Sequence, residues 1–282
     1  MAGMCEKPTL FFLDEHQLTR VSPCSIYHPP RTSETVQYFP HKTRSHIQTP
    51  DSNIITQTNS RGFISFVMTN SPELLYHIFL TVIDYHIDPS GAKRSIYVLG
   101  TNATLEAAKN SAFRVLATLG YKPEDFVEYA IHSSSTEEWD HGDGVLVYAK
   151  APAGQVFLIS IQATPNDEKL LMDSNGGIFM PTGIPSLHYV MQTMIDYNKD
   201  RTGCVQETQI EGTFIHRADA YAAARKLLDP LDYADYDTPE KMAGEWPFGE
   251  EVVAHAVAET GQNIIVEVKT VAGAHHKHGK GM

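Results

Sequence analysis

The sequence predicts an α+β fold in which a β-α-β-α-β-β unit is duplicated in tandem and packed as one pseudo-twofold body behind an irregular N-terminal arm. An internal match carries the expectation first. Glu138-Trp139 answers to Glu245-Trp246, Gly142 to Gly249, Ala149 to Ala256 and Gly154-Gln155 to Gly261-Gln262, all at one constant offset. A second match holds a slightly longer offset, with Ile83-Asp84-Tyr85 recurring as Ile195-Asp196-Tyr197, Gly100-Thr101 as Gly212-Thr213 and Tyr121 as Tyr233. A five-residue deletion between Tyr233 and Glu245 reconciles the two offsets. One register held over so many elements points to an ancestral copy, and two small sandwiches would cover each other's open sheet edges. The expected boundaries are an extended Pro, Ser, Thr and His-rich arm over 1–61, a first repeat over 62–166, a second over 175–272 and a polar His, Lys and Gly tail over 273–282.

Each element follows from local chemistry. Ser22-Pro23, His28-Pro29-Pro30, Phe39-Pro40 and Thr49-Pro50 deny the arm both helix and ladder. Phe63 to Met68 has the β-branched and aromatic content of a strand. Ser71-Pro72-Glu73 looks like a helix start, and Leu74, Leu75, Ile78, Phe79, Val82, Ile83 and Ile87 form an apolar stripe at helical spacing, which predicts a helix up to Asp88-Pro89. Ser95 to Leu99 is a strand. Leu105 to Leu119 is a second helix capped by Asn102 or Thr104 and ended by Gly120. Val145 to Ala149 and Val156 to Ile161 form a hairpin. In the second copy Ile178 to Met180 matches the first strand, and Leu187, Val190, Met191, Met194 and Ile195 match the first helix.

Composition bounds the function. With 34 acidic against 22 basic residues the formal charge is −12, which repels phosphate backbones and anionic bilayers, so nucleic acid and membrane are not expected partners. No apolar run approaches the roughly 20 residues a spanning helix needs. Cys5, Cys24 and Cys204 are an odd number at wide spacing, which indicates neither a disulfide framework nor a cysteine metal site; cytoplasmic residence is the default.

Dictionary motifs for phosphate loops, dinucleotide binding, zinc proteases and serine hydrolases are missing. The best local cluster is Asp140-His141-Gly142-Asp143 beside Trp139. A histidine between carboxylates can be held in one tautomer for acid–base work, with Tyr148 assisting, and the second copy keeps the glycine and an acid but has lost the histidine. A polar turn explains the same composition. Tyr76-His77 answers to His188-Tyr189, so one ring of each pair faces the core. Trp139, Trp246, His77 and His188 are accordingly the binding candidates at the seam of the copies. No metal ligand set and no cofactor is expected. Two readings follow: a cytosolic binding protein holding a small molecule or protein partner where the repeats meet, self-association included, or a cofactor-independent lyase or isomerase working on a small metabolite through His141, Asp140 and Asp143.

Overall fold

β-Branched and aromatic runs that form strands, not helices, carry most of the regular structure among the described residues. The computed structural model describes residues 70–132 and 139–271, with the backbone of 54–58 and 64–68; residues 1–53, most of the expected arm, and 272–282, with the expected tail, lie outside the described residues. Strand β1 (Ile54–Thr58), inside the segment expected to be irregular, pairs antiparallel with β2 (Ile64–Met68). Then come β3 (Leu74–Asp84), β4 (Arg94–Asn102), helix α1 (Leu105–Ala112), the short α2 (Val115–Thr118), β5 (Glu128–Ile131), β6 (Val145–Lys150) and β7 (Gln155–Pro165). A linking hairpin, β8 (Leu171–Met172) and β9 (Ile178–Phe179), leads to β10 (His188–Asp196), β11 (Gln206–Phe214), α3 (Arg217–Ala224), β12 (Asp235–Asp237), β13 (Val252–Val257) and β14 (Gln262–Thr270). Among the described residues no helix is long and apolar enough to cross a membrane.

The expected α+β architecture of β-α-β-α-β-β units is therefore overturned. Both leading helices are strands: Leu74 to Asp84 is β3, and His188 to Asp196 is β10. What stands in their place is two antiparallel sheets of five strands with like orders, β4-β3-β7-β6-β5 and β11-β10-β14-β13-β12. The β9 segment, expected to match β2, instead pairs with β8 in the link.

Layering explains why helical spacing misled. On one face of β3, Ile78 and Leu80 pack with Ala112, Leu116, Val147, Ala149 and Ile159 beneath α1 and α2. On the other, Leu75 and Phe79 meet Tyr189, Met191 and Ile210 of the second sheet. Across that sheet, Val190, Ala254, Ala256 and Val266 pack on Ala220 and Ala224 of α3. The order is helix, sheet, sheet, helix. A strand covered on both faces loses the polar alternation that marks a half-exposed one, and its apolar run imitates a helix.

Both offsets recur in the geometry. The ladder slips between Ile78 and Phe79 against Gly100 and Val98, and again at the counterparts set by the longer offset, between Val190 and Met191 against Gly212 and Ile210. A second slip, between Val145 and Val147, recurs at the shorter offset between Val252 and Ala254. The five-residue difference falls earlier than the sequence suggested. Leu228 still packs as Leu116 does, at the longer offset, whereas the 3-10 turn Pro230–Asp232 follows Pro123–Asp125 at the shorter one. The second half therefore has no counterpart of the segment that ends α2, and Tyr233 takes the place of Phe126, not Tyr121.

The link is held by one buried amide. Asn166 Nδ2 donates to Pro72 O at 2.8 Å and to Leu170 O at 2.9 Å, while its Oδ1 accepts from Leu170 N at 2.9 Å. Removing it orphans several buried backbone groups at once. Asn166→Ala is expected to lower unfolding free energy by about 1–3 kcal/mol in urea titration; an unchanged midpoint would contradict this account of the link.

Candidate functional site

The polar centre of the molecule lies where the sheets face each other. His77 on β3 is 0% exposed, its Nδ1 2.9 Å from Thr101 Oγ1 and its Nε2 2.8 Å from Thr164 Oγ1 and 3.3 Å from Thr213 Oγ1. Thr101 Oγ1 also hydrogen-bonds the Tyr189 hydroxyl at 2.8 Å, and the His77 and Tyr189 rings meet edge to face at 5.5 Å. His77 and Tyr189 are counterparts at the longer offset, as are Thr101 and Thr213. Burial pushes the His77 imidazole down to about 3 and the Tyr189 phenol up to about 12, so both are neutral near pH 7. One neutral imidazole carries one N–H, so one nitrogen donates and the other accepts from a threonine hydroxyl.

Around this centre the halves trade side-chain-to-carbonyl bonds reciprocally. The Arg94 guanidinium donates to Cys204 O, and its counterpart Gln206 donates through Nε2 to Ala92 O at 2.6 Å. Gln162 donates to Thr208 O at 2.7 Å, and its counterpart Lys269 donates to Ile96 O at 3.2 Å. His188, the other seam candidate, begins β10 with Nδ1 2.7 Å from Thr270 Oγ1; partial burial, then the charges of Arg217 and His216, hold its pKa below the ordinary value.

The Trp139 cluster is a ring stack beside β5 and β6. His132 stacks on Trp139 with centroids 4.7 Å apart, His141 meets Trp139 edge-on at 4.7 Å, and His141 stacks on Tyr148 at 4.0 Å. Trp139 Nε1 donates to Gly142 O at 3.1 Å. Asp140 and Asp143 are exposed, and among the described residues the carboxylate within ion-pair reach of His141 is Glu128, at 3.9 Å. Burial, then the Glu128 charge, raises the Tyr148 phenol above its usual value. In the second half Phe248 takes the place of His141 and His255 that of Tyr148: Trp246 packs on Phe248, which stacks on His255 at 4.2 Å. A histidine is thus lost at one position of the stack and present at another. The Trp246 Nε1 and His255 Nδ1 atoms are buried and lack a hydrogen-bond partner among the described residues.

A cleft of about 730 Å³ opens on the free edge of β4. Its floor is Ile78 and the bulged stretch Leu99 to Asn102; one wall is Ser111, Arg114, Val115 and Thr118 where α1 gives way to α2. The linking hairpin is the other wall, through Asp173 and Gly177 to Met180. Thr101 belongs to both the cleft lining and the His77 network. The hairpin is pinned by Ala103 N donating to Gly176 O at 2.9 Å and by a bridge between Asn102 and Gly177. Gly176 has φ of +77°, and a Cβ there would lie 2.5 Å from Thr104 Oγ1, the side chain that caps α1. None of the eight residues singled out from sequence borders the cleft. Arg114 and Asp173 were missed; the Asn175-Gly176-Gly177 turn was the available signal for a tight hairpin there.

Among the described residues no three His, Cys, Asp or Glu side chains are grouped to hold a metal ion. Compared with protein-family models, curated proteins and solved structures, the chain matches none.

A His buried as neutral must be protonated in the unfolded chain as pH falls below 6.5, while the folded one resists down to about 3. The His77 contribution is therefore fully present above 6.5 and is lost as pH falls toward 3, with a slope approaching about 1.4 kcal/mol per pH unit. Urea titrations from pH 7 to pH 4 should show His77→Gln, though less stable at pH 7, losing stability less steeply than the native chain. Parallel slopes would contradict a neutral buried His77.

Proposed function

We propose that the chain is a binding protein that holds a small amphipathic organic molecule in the cleft between β4, the α1 and α2 junction and the linking hairpin. The observation that carries this reading is the cleft's build: a volume of about 730 Å³, inside the usual range of roughly 300–1,000 Å³ for ligand pockets, with an apolar body and a few convergent polar groups. The sequence pointed to a site where the units meet. The seam proper is filled by Leu75, Phe79, Tyr189, Met191 and Ile210, whereas the cleft, bordered by the link and by Thr101, is open, and this supports the reading. Residence in the cytosol is part of the same proposal, on the ground of the three scattered cysteines.

The acid–base reading through His141 draws less support. One face of its ring is stacked on Tyr148, Asp140 and Asp143 stand in solvent, and Glu128 is beyond hydrogen-bond distance at 3.9 Å.

Thermal-shift screening with small amphiphiles, followed by calorimetric titration, tests the proposal. A true ligand at 100 times its Kd adds roughly 2.7 kcal/mol. Gly176→Val should detach the hairpin wall and weaken that ligand at least tenfold while the strand signal in circular dichroism persists. A ligand bound equally by both proteins, or no ligand in the screen, would sink the reading.

A further inference from the structure

We infer that the ligand of this cleft is a small zwitterion, one carboxylate and one ammonium on an apolar body; the inference rests on the binding reading above. Among the described residues the lining contains one cation, Arg114, and one anion, Asp173, from opposite walls. They do not neutralise each other. Arg114 is exposed, with Nε donating to Asn110 O at 2.9 Å, which fixes the stem and leaves the terminal nitrogens of the fork for a bidentate carboxylate. Asp173 uses Oδ1 for its own turn, accepting from Asn175 N at 2.8 Å and Gly177 N at 2.7 Å. Its Oδ2 takes no part in that turn. Gly177 itself lines the cleft, and a Cβ there would lie 2.6 Å from Oδ2, so the glycine leaves room beside that oxygen.

Charge accounting then selects the ligand. A monoanion that covered the cleft would bury Asp173 against no cation, and a monocation would do the same to Arg114; each uncompensated charge opposes binding. A molecule bearing both charges satisfies both walls. Its body meets Ile78, Leu99, Val115, Ile178, Phe179 and Met180, which favours an aliphatic or aromatic substituent over a polar one. Free amino acids with apolar side chains and short apolar peptides with free termini share this chemistry.

Calorimetric titration of the full chain tests the inference with leucine, phenylalanine, the dipeptide Leu-Leu, and two capped leucines, the N-acetyl acid and the amide. At least one free zwitterion should bind ten times or more tighter than both capped forms, and whether the amino acids or the dipeptide bind tighter identifies the source. Asp173→Asn, which keeps Oδ1 for the turn, should remove the preference over the N-acetyl acid. Arg114→Gln, at an exposed position, should remove the preference over the amide. Capped forms that bind as well as the zwitterions would overturn the inference while leaving the cleft as a binding site. Zwitterion binding that neither substitution weakens would overturn it too, as would no binding by any of the five compounds. In that last case the amphiphile screen with Gly176→Val decides separately whether the cleft binds anything.

Discussion

Two β-sheets can lie face to face only when every polar group caught between them finds a partner. The group most at risk here is the His77 imidazole, wholly buried, and the structure surrounds it with the hydroxyls of Thr101, Thr164 and Thr213, with Tyr189 bonded in turn to Thr101. Replacing one member takes a hydrogen-bond partner from its neighbours in a dry interior, which makes the network a specifier of how the sheets register as much as a source of stability. The reciprocal side-chain-to-carbonyl bonds of Arg94 and Gln206, and of Gln162 and Lys269, extend the same register outward. Between these polar points the seam is apolar, so it combines the strength of core packing with a unique alignment.

The halves share a plan and differ where the cleft forms. In both, the outer strand, β4 beside β3 and β11 beside β10, carries a bulge, and a bulge re-aims the extra side chain. That residue is Leu99 in the first half and Glu211 in the second; Leu99 lines the cleft, whereas Glu211 is exposed. The short α2 also exists only in the first half of the described residues, and the link folds back there as a hairpin whose Gly176 fits against the α1 cap. The cleft combines parts the halves share, the bulged strand with Gly100 and Thr101, with parts in which they differ, α2 and the linking hairpin.

The elements with simple exposure were legible in the sequence. The start of α1, with Thr104 as one of the two caps expected, and the β6 and β7 hairpin were readable, as was β4 within Ser95 to Leu99. The central strands were not. Ser71-Pro72-Glu73 has the composition of a helix start, but Ser71 and Pro72 instead serve Asn166 and Leu170 in the link. The run from Leu74 is apolar on both faces because a helix covers one and a sheet the other, so its period carried no information; the weight of Tyr76, Ile78, Phe79, Thr81, Val82 and Ile83 toward β-structure was the better guide. Of the candidate site, the sequence indicated that one ring of the Tyr76-His77 pair faces the core without saying which; the partners of His77 come from four other strands and no local pattern announces them. Arg114 and Asp173 sit far apart in the chain on opposite walls, a separation that only tertiary packing closes.

The dependence of the whole arrangement on the buried network is tested most directly by a double-mutant cycle on Thr101 and Tyr189. Thr101→Val and Tyr189→Phe each delete one partner of the 2.8 Å bond across the seam without changing shape much. Contacting residues in one network couple by about 0.5–3 kcal/mol, and the double variant should be more stable than the two single losses added together by an amount in that range. Strict additivity of the two losses would mean that the sheets do not meet through this bond, and would contradict the account.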